Sequence, residues 1–249
     1  SDDTSIAEII VLDPDAIDSF GHFLSMDDRI GEAAQAKGLD FSVFGNVECG
    51  PDIVADRPFF EPVFSVHSWA IGTRPDNHKE LARFSSELDR ALAKRKELGI
   101  TRPTLVYLYL GSLPAAQCML EVLEQYPNVS GVVCLFWLSY IDYRNPEYVS
   151  KWGEVFRKVT DSNLELTVPT EKLAKGVMEA FRFNLAVAPH PSTTFSDDFF
   201  TELVVNDSTQ TEFAKEKLNI IFPGGVSLEK GFDKTTDLAP QLASVLADD

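Results

Sequence analysis

Apolar positions along the chain fall into alternating short runs and helical stripes. Residues 6–12 read IAEIIVL, an aliphatic run broken only by Glu8, the pattern of a strand buried on both faces of a parallel sheet. Over residues 21–37, Phe23, Leu24, Ile30, Ala33 and Ala34 share one helical face, and Gly38 provides a stop. Leu39, Phe41 and Val43 then alternate as a strand does, which makes a βαβ unit within the first 46 residues. Residues 47–76 carry prolines and aromatics without a sustained period, and read as a long excursion with a short strand at 63–66. Helical spacing returns at 77–99, with Leu81, Phe84, Leu88, Leu92 and Leu98 on one side.

The remaining elements follow the same rhythm. Residues 104–110 form a strand, and Ser112 is placed to cap a helix opened by Leu113-Pro114. A strand at 131–138, a helix at 145–162, a strand at 164–168, a helix at 170–181 capped by Thr170 and a strand at 184–191 complete the series. Strict alternation predicts an α/β fold: a doubly wound, mostly parallel Rossmann-like sheet with helices on both faces. Composition shifts after residue 191. We therefore expect an N-terminal domain over 1–195, a linker over 196–215, and the first βα unit of a second domain, cut short, over 216–249. The alternative is that this last strand and helix finish the first sheet.

Charge narrows the partners. With 39 acidic and 22 basic residues the formal charge is -17, a field that repels nucleic acid and anionic lipid. No apolar run approaches the roughly 20 residues a membrane span needs, and the polar start Ser1-Asp2-Asp3-Thr4-Ser5 does not read as a signal peptide. Cys49, Cys118 and Cys134 are far apart and odd in number, which suggests reduced thiols and a cytoplasmic setting, with Cys118 and Cys134 as small core residues.

Ligands of open α/β sheets bind beyond the carboxyl ends of the strands. Asp13, Gly21, His22, Gly45, Asn46, Gly111, Ser112, Trp137, Tyr140 and His190 fall at such ends. Gly21-His22 opens a helix, whose free amides suit an anion, although the pair also reads as a simple turn. Phe136, Trp137, Tyr140 and Tyr143 are either packing or a platform for a sugar. Asp13-Pro14-Asp15 has the look of a metal-binding DxD, but its proline constrains the loop and no metal is expected. His67, His78 and His190 lack a sequence-local carboxylate or cysteine partner. His67 and His190 read as core or rim histidines. A GxGxxG, a Walker lysine loop and a GxSxG elbow are all missing. In PGGVSLEKG (223–231), Gly224, Gly225 and Lys230 could hold a diphosphate, or form a surface turn.

Three stretches together resemble the GT-B-fold glycosyltransferases. VLDPDAIDSFGHFLSMDDRIGEAAQAKGLDFSVFGN is similar to their opening strand, glycine-bearing loop and helix. NLAVAPHPSTT is similar to the last strand of their N-terminal domain, and IIFPGGVSLEKGFD to the start of their C-terminal domain. The resemblance implies a nucleotide-sugar donor as substrate, no cofactor, and hexosyl transfer to a carbohydrate or lipid-linked acceptor. It places Gly21 and His22 in the acceptor-facing cleft and Lys230 on the donor diphosphate; the strand-end residues Gly111, Ser112, Trp137 and His190 would border the same cleft. Gly225 stands where the family usually has arginine. The paired-glutamate motif is absent, so the chain is expected to be inactive alone and to need the rest of a C-terminal domain. The rival expectation is a non-catalytic α/β module that binds a sugar or a protein.

Overall fold

A computed structural model describes residues 6–18, 23–74 and 77–188, all within the first of two units into which the chain divides, Ser1–Phe195. The expected linker and second-domain unit lie outside the described residues. Seven parallel strands form one sheet in the order β3-β2-β1-β4-β5-β6-β7. They are β1 (Glu8–Asp13), β2 (Asp40–Asn46), β3 (Phe60–Phe64), β4 (Thr104–Leu108), β5 (Val129–Cys134), β6 (Leu164–Val168) and β7 (Ala186–Val187). The helices are α1 (Phe23–Ala36), α2 (Pro51–Ala55), α3 (Ser68–Gly72), α4 (His78–Glu97), α5 (Leu113–Leu123), α6 (Pro146–Thr160) and α7 (Glu171–Phe181). The expected α/β Rossmann-like architecture is therefore present, and its sheet is parallel throughout.

Successive strand residues face opposite layers. Ile10 and Leu12 of β1 join Val106 and Leu108 of β4 in a core with Phe84 and Leu88 of α4, Met119 and Leu123 of α5, Phe156 of α6 and Val177 of α7. Val11 and Val43 point the other way, against Leu24, Met26 and Phe60. Caps follow the sequence closely. Ser112 Oγ accepts from Ala115 N at 3.2 Å, and Thr170 Oγ1 accepts from Leu173 N at 3.3 Å. Gly38 closes α1 at φ 71°, and the amides of Gly38 and Leu39 donate to Gln35 and Ala34 carbonyls.

Besides strands shorter than expected at Thr104–Leu108 and Ala186–Val187, three details differ from the sequence reading. Residues 47–76 are not a long loop: they hold α2, the edge strand β3 and α3. Pro62 is accommodated there because β3 pairs on one side only, with β2. The strand expected over 131–138 stops at Cys134, and Phe136–Tyr140 coil into a 3-10 turn. Leu98 lies just past α4 and is exposed, because the helical face ends with the helix.

At the amino edge of the sheet, Glu8 is buried and held by Arg95 and by Arg102 Nε at 3.1 Å. This ionic cluster ties β1 to the end of α4 and the approach to β4. No described helix is long and apolar enough to cross a membrane. One helix position is open to improvement. A Cβ added at Gly153, inside α6, would come no nearer than 3.9 Å to any neighbour, the Phe181 ring. Gly153→Ala is expected to raise unfolding stability by about 0.5–1 kcal/mol, read from urea denaturation.

Candidate functional site

Strand order reverses between β1 and β4, so the loops beyond their carboxyl ends part to form a crevice. Two side chains fix the walls of that crevice. Asn46, at the end of β2, donates through Nδ2 to the Pro14 carbonyl at 2.7 Å and to the Val66 carbonyl at 3.2 Å, while its Oδ1 accepts from Glu48 N at 2.9 Å. Asp15 accepts from Ser68 N at 3.1 Å, from the Ser68 hydroxyl and from His67 Nδ1 at 3.3 Å. The loops after β1, β2 and β3 are thus stapled together by buried or part-buried polar groups.

Beneath the staples lies an acid pair. Asp13, Asp27 and Tyr109 are fully buried. Tyr109 donates its hydroxyl to Asp13 Oδ2, and Asp15 N donates to Asp13 Oδ1 at 3.0 Å. Asp27 has no hydrogen-bond donor among the described residues and faces the Asp13 carboxyl. Two carboxyls form a hydrogen bond only when one keeps its proton. Burial, then the charge of Asp13, hold Asp27 well above the usual carboxylate range. Burial pushes Asp13 up to about 6, against the pull of the Tyr109 hydrogen bond. Burial and the neighbouring Asp13 charge therefore both favour the protonated form of Asp27. The Asp13-Pro14-Asp15 stretch turns both carboxylates inward, and no group of three His, Cys, Asp or Glu among the described residues could hold a metal ion.

Above this floor opens a cleft of about 430 Å³, lined by Asp15, Ile17, Asp18 and Leu110, by His67, and by the aromatics Phe23, Trp69, Phe136, Trp137 and Tyr140. Phe136, Trp137 and Tyr140 pack at ring-centroid distances of 5.3–5.6 Å, and His67 lies along Trp69 at 6.2 Å. Trp69 and Tyr140 are 40% and 65% exposed; Arg74 stacks on the Trp69 ring, so Tyr140 offers the more open aromatic surface.

No protein-family model, curated protein or solved structure matches this chain. The chemistry has to be read from the site itself. Open aromatic faces bordered by carboxylates suit the apolar faces and hydroxyl edges of a sugar ring. An ionised Asp15 accepts from His67 Nδ1, which orients the imidazole with Nε2 away from that carboxylate.

The structure brings Gly111, Ser112 and Trp137 together. Gly111 N donates to the Cys134 carbonyl at 2.8 Å, and the Gly111 carbonyl accepts from Trp137 N at 3.2 Å. Trp137 lines the cleft; Gly111 and Ser112 stand behind it, with the Ser112 hydroxyl occupied by the Ile71 carbonyl at 3.0 Å and by the α5 cap. Gly21, His22 and His190, with the donor-side Gly224, Gly225 and Lys230, lie outside the described residues. Sequence reasoning did not select His67 or Trp69. The carboxylate partner of His67 stands 52 residues away, so no local motif announces it. Trp69 sits on α3, a five-residue helix too short to show a period.

Proposed function

We propose that this chain is the acceptor-side part of a nucleotide-sugar-dependent glycosyltransferase, and that its aromatic cleft holds a carbohydrate acceptor. The observation that carries the reading is the cleft at the strand-order switch, where Trp69, Trp137 and Tyr140 supply aromatic surface beside Asp15 and His67. His67, oriented by Asp15, would take the proton of the attacking hydroxyl. Gly224, Gly225 and Lys230 would hold the donor diphosphate. Gly225, standing where the resembled family has arginine, favours a second reading: the same cleft binds sugar without transfer.

The test is binding of neutral oligosaccharides to the whole chain, screened on a glycan array and then titrated. Trp69→Ala is expected to weaken the best ligand roughly tenfold, about 1.4 kcal/mol. Unchanged affinity in Trp69→Ala, or no carbohydrate binding by the wild type, would sink the proposal. His67→Ala separates the two readings, since it should abolish transfer by the full enzyme while sparing binding.

A further inference from the structure

A second cavity, of about 490 Å³, is lined by Gly72, which packs against Trp137 of the aromatic cleft. A Cβ at Gly72 would fall 2.4 Å from the Trp137 ring, so glycine lets the indole lie directly against it. Arg74 connects the two spaces. Its guanidinium stacks on Trp69 at 4.1 Å, and the residue lines the second cavity. Stacking occupies the guanidinium face and leaves its N–H edge available.

Several features of this second cavity suit an anion. It is lined at the amino ends of three helices: by Asn77 at α4, Pro114 at α5 and Asn145 at α6. A helix amino end carries partial positive charge. Arg74 and Lys151 also line it, and neither has an ion-pair partner among the described residues, in a protein of formal charge -17. Asn77 is 4% exposed, and its amide nitrogen has no acceptor among the described residues; its side chain caps none of the first-turn amides of α4. The Tyr148 hydroxyl, in the same lining, and the Trp137 indole N–H are buried and likewise unpartnered. Buried donors without acceptors are rare in folded proteins; two, on Asn77 and Tyr148, line this cavity, and Trp137 lines the neighbouring cleft. Asp142 and Glu147 also line the cavity, both exposed. They offset the charges of Arg74 and Lys151, so selectivity for an anion would rest on the buried donors.

Resting on the reading that the aromatic cleft takes a carbohydrate, we propose that the neighbouring cavity binds an anionic substituent of that carbohydrate, a phosphate monoester or a carboxylate, through Arg74, Lys151 and Asn77. The acceptor is then an acidic sugar or a sugar phosphate. The ring lies on the aromatics, and the anion reaches past Trp137 to the helix ends.

All three tryptophans, Trp69, Trp137 and Trp152, line these two cavities, so intrinsic fluorescence reports on both. The whole chain is titrated with inorganic phosphate, then with a hexose phosphate, a hexuronic acid and the neutral hexose. Saturable quenching by phosphate is expected, with the anionic sugars binding at least about tenfold tighter than the neutral one, about 1.4 kcal/mol. Preference for the phosphate or for the carboxylate identifies the source of the anion. Arg74→Met with Lys151→Met should erase the preference. Both side chains are exposed, and Lys151→Glu alone serves if the double variant fails to fold. Equal affinity for neutral and anionic sugars, or a preference that survives these substitutions, overturns the inference and leaves sugar binding in the cleft intact. Loss of all carbohydrate binding overturns both.

Discussion

Gly111→Ala is expected to destabilise the fold by about 3 kcal/mol or more, well beyond an ordinary glycine-to-alanine exchange. An added Cβ would sit 2.2 Å from Val133 Cγ1 and 2.8 Å from the Cys134 carbonyl oxygen. That carbonyl cannot retreat, because it already accepts from the Gly111 amide. The displacement would spread to Trp137, whose amide donates to the Gly111 carbonyl, and so to its packing against Gly72. At about 2–4 °C per kcal/mol for a domain of this size, Tm should fall by roughly 6–12 °C. Calorimetry of Gly111→Ala beside Gly153→Ala gives the contrast directly: the first should fall and the second rise. A neutral Gly111→Ala would mean that β4 and β5 separate more easily than their spacing implies.

The second large effect is a pH dependence from the Asp13–Asp27 pair. Both carboxyls have raised values in the folded state, so the fold binds protons more tightly than the unfolded chain. Their contribution to stability is complete below the unfolded value of about 3.8. It is lost as pH rises through about 6 and onward. A shift of about two units is worth on the order of 2–3 kcal/mol. Because the two carboxyls interact, the loss belongs to the pair. Asp27→Asn installs a permanent N–H donor opposite Asp13 and should remove most of this slope. The informative quantity is the difference in Tm between wild type and variant at a series of pH values. It should favour the variant progressively from pH 4 to pH 8. Parallel curves would show that the two carboxyls do not interact.

Much of the scaffold was legible because its signals are local. Aliphatic runs, the Ser112 and Thr170 caps and the Gly38 stop each depend on residues within a few positions, and all stand where expected. The edge region was misread because β3 and two five-residue helices are too short to establish a period. The 3-10 turn at Phe136–Tyr140 continues an apolar run, so hydrophobicity alone cannot end the strand before it. The site was only partly legible. Strand ends could be located, which put Trp137 in view. Asp15 with His67, and Asn46 with Pro14, join residues 52 and 32 positions apart, and pairing of that kind is a property of the fold.

The strand order also sets the timetable of folding. β1 stands in the middle of the sheet, yet Glu8 lies opposite Thr104, 96 residues later, with Asp40 on its other side. At a synthesis rate of roughly 5–20 residues per second, β1 waits about 5–20 s before its second neighbour exists. During that interval one of its edges is open, and the Asp13 carboxyl has yet to meet Tyr109, which emerges just after β4. Parallel pairings this distant are intrinsically slow and leave apolar edges exposed. The nascent chain should therefore behave as a chaperone client until β4 leaves the ribosome, and the acid pair cannot be sealed until that late step.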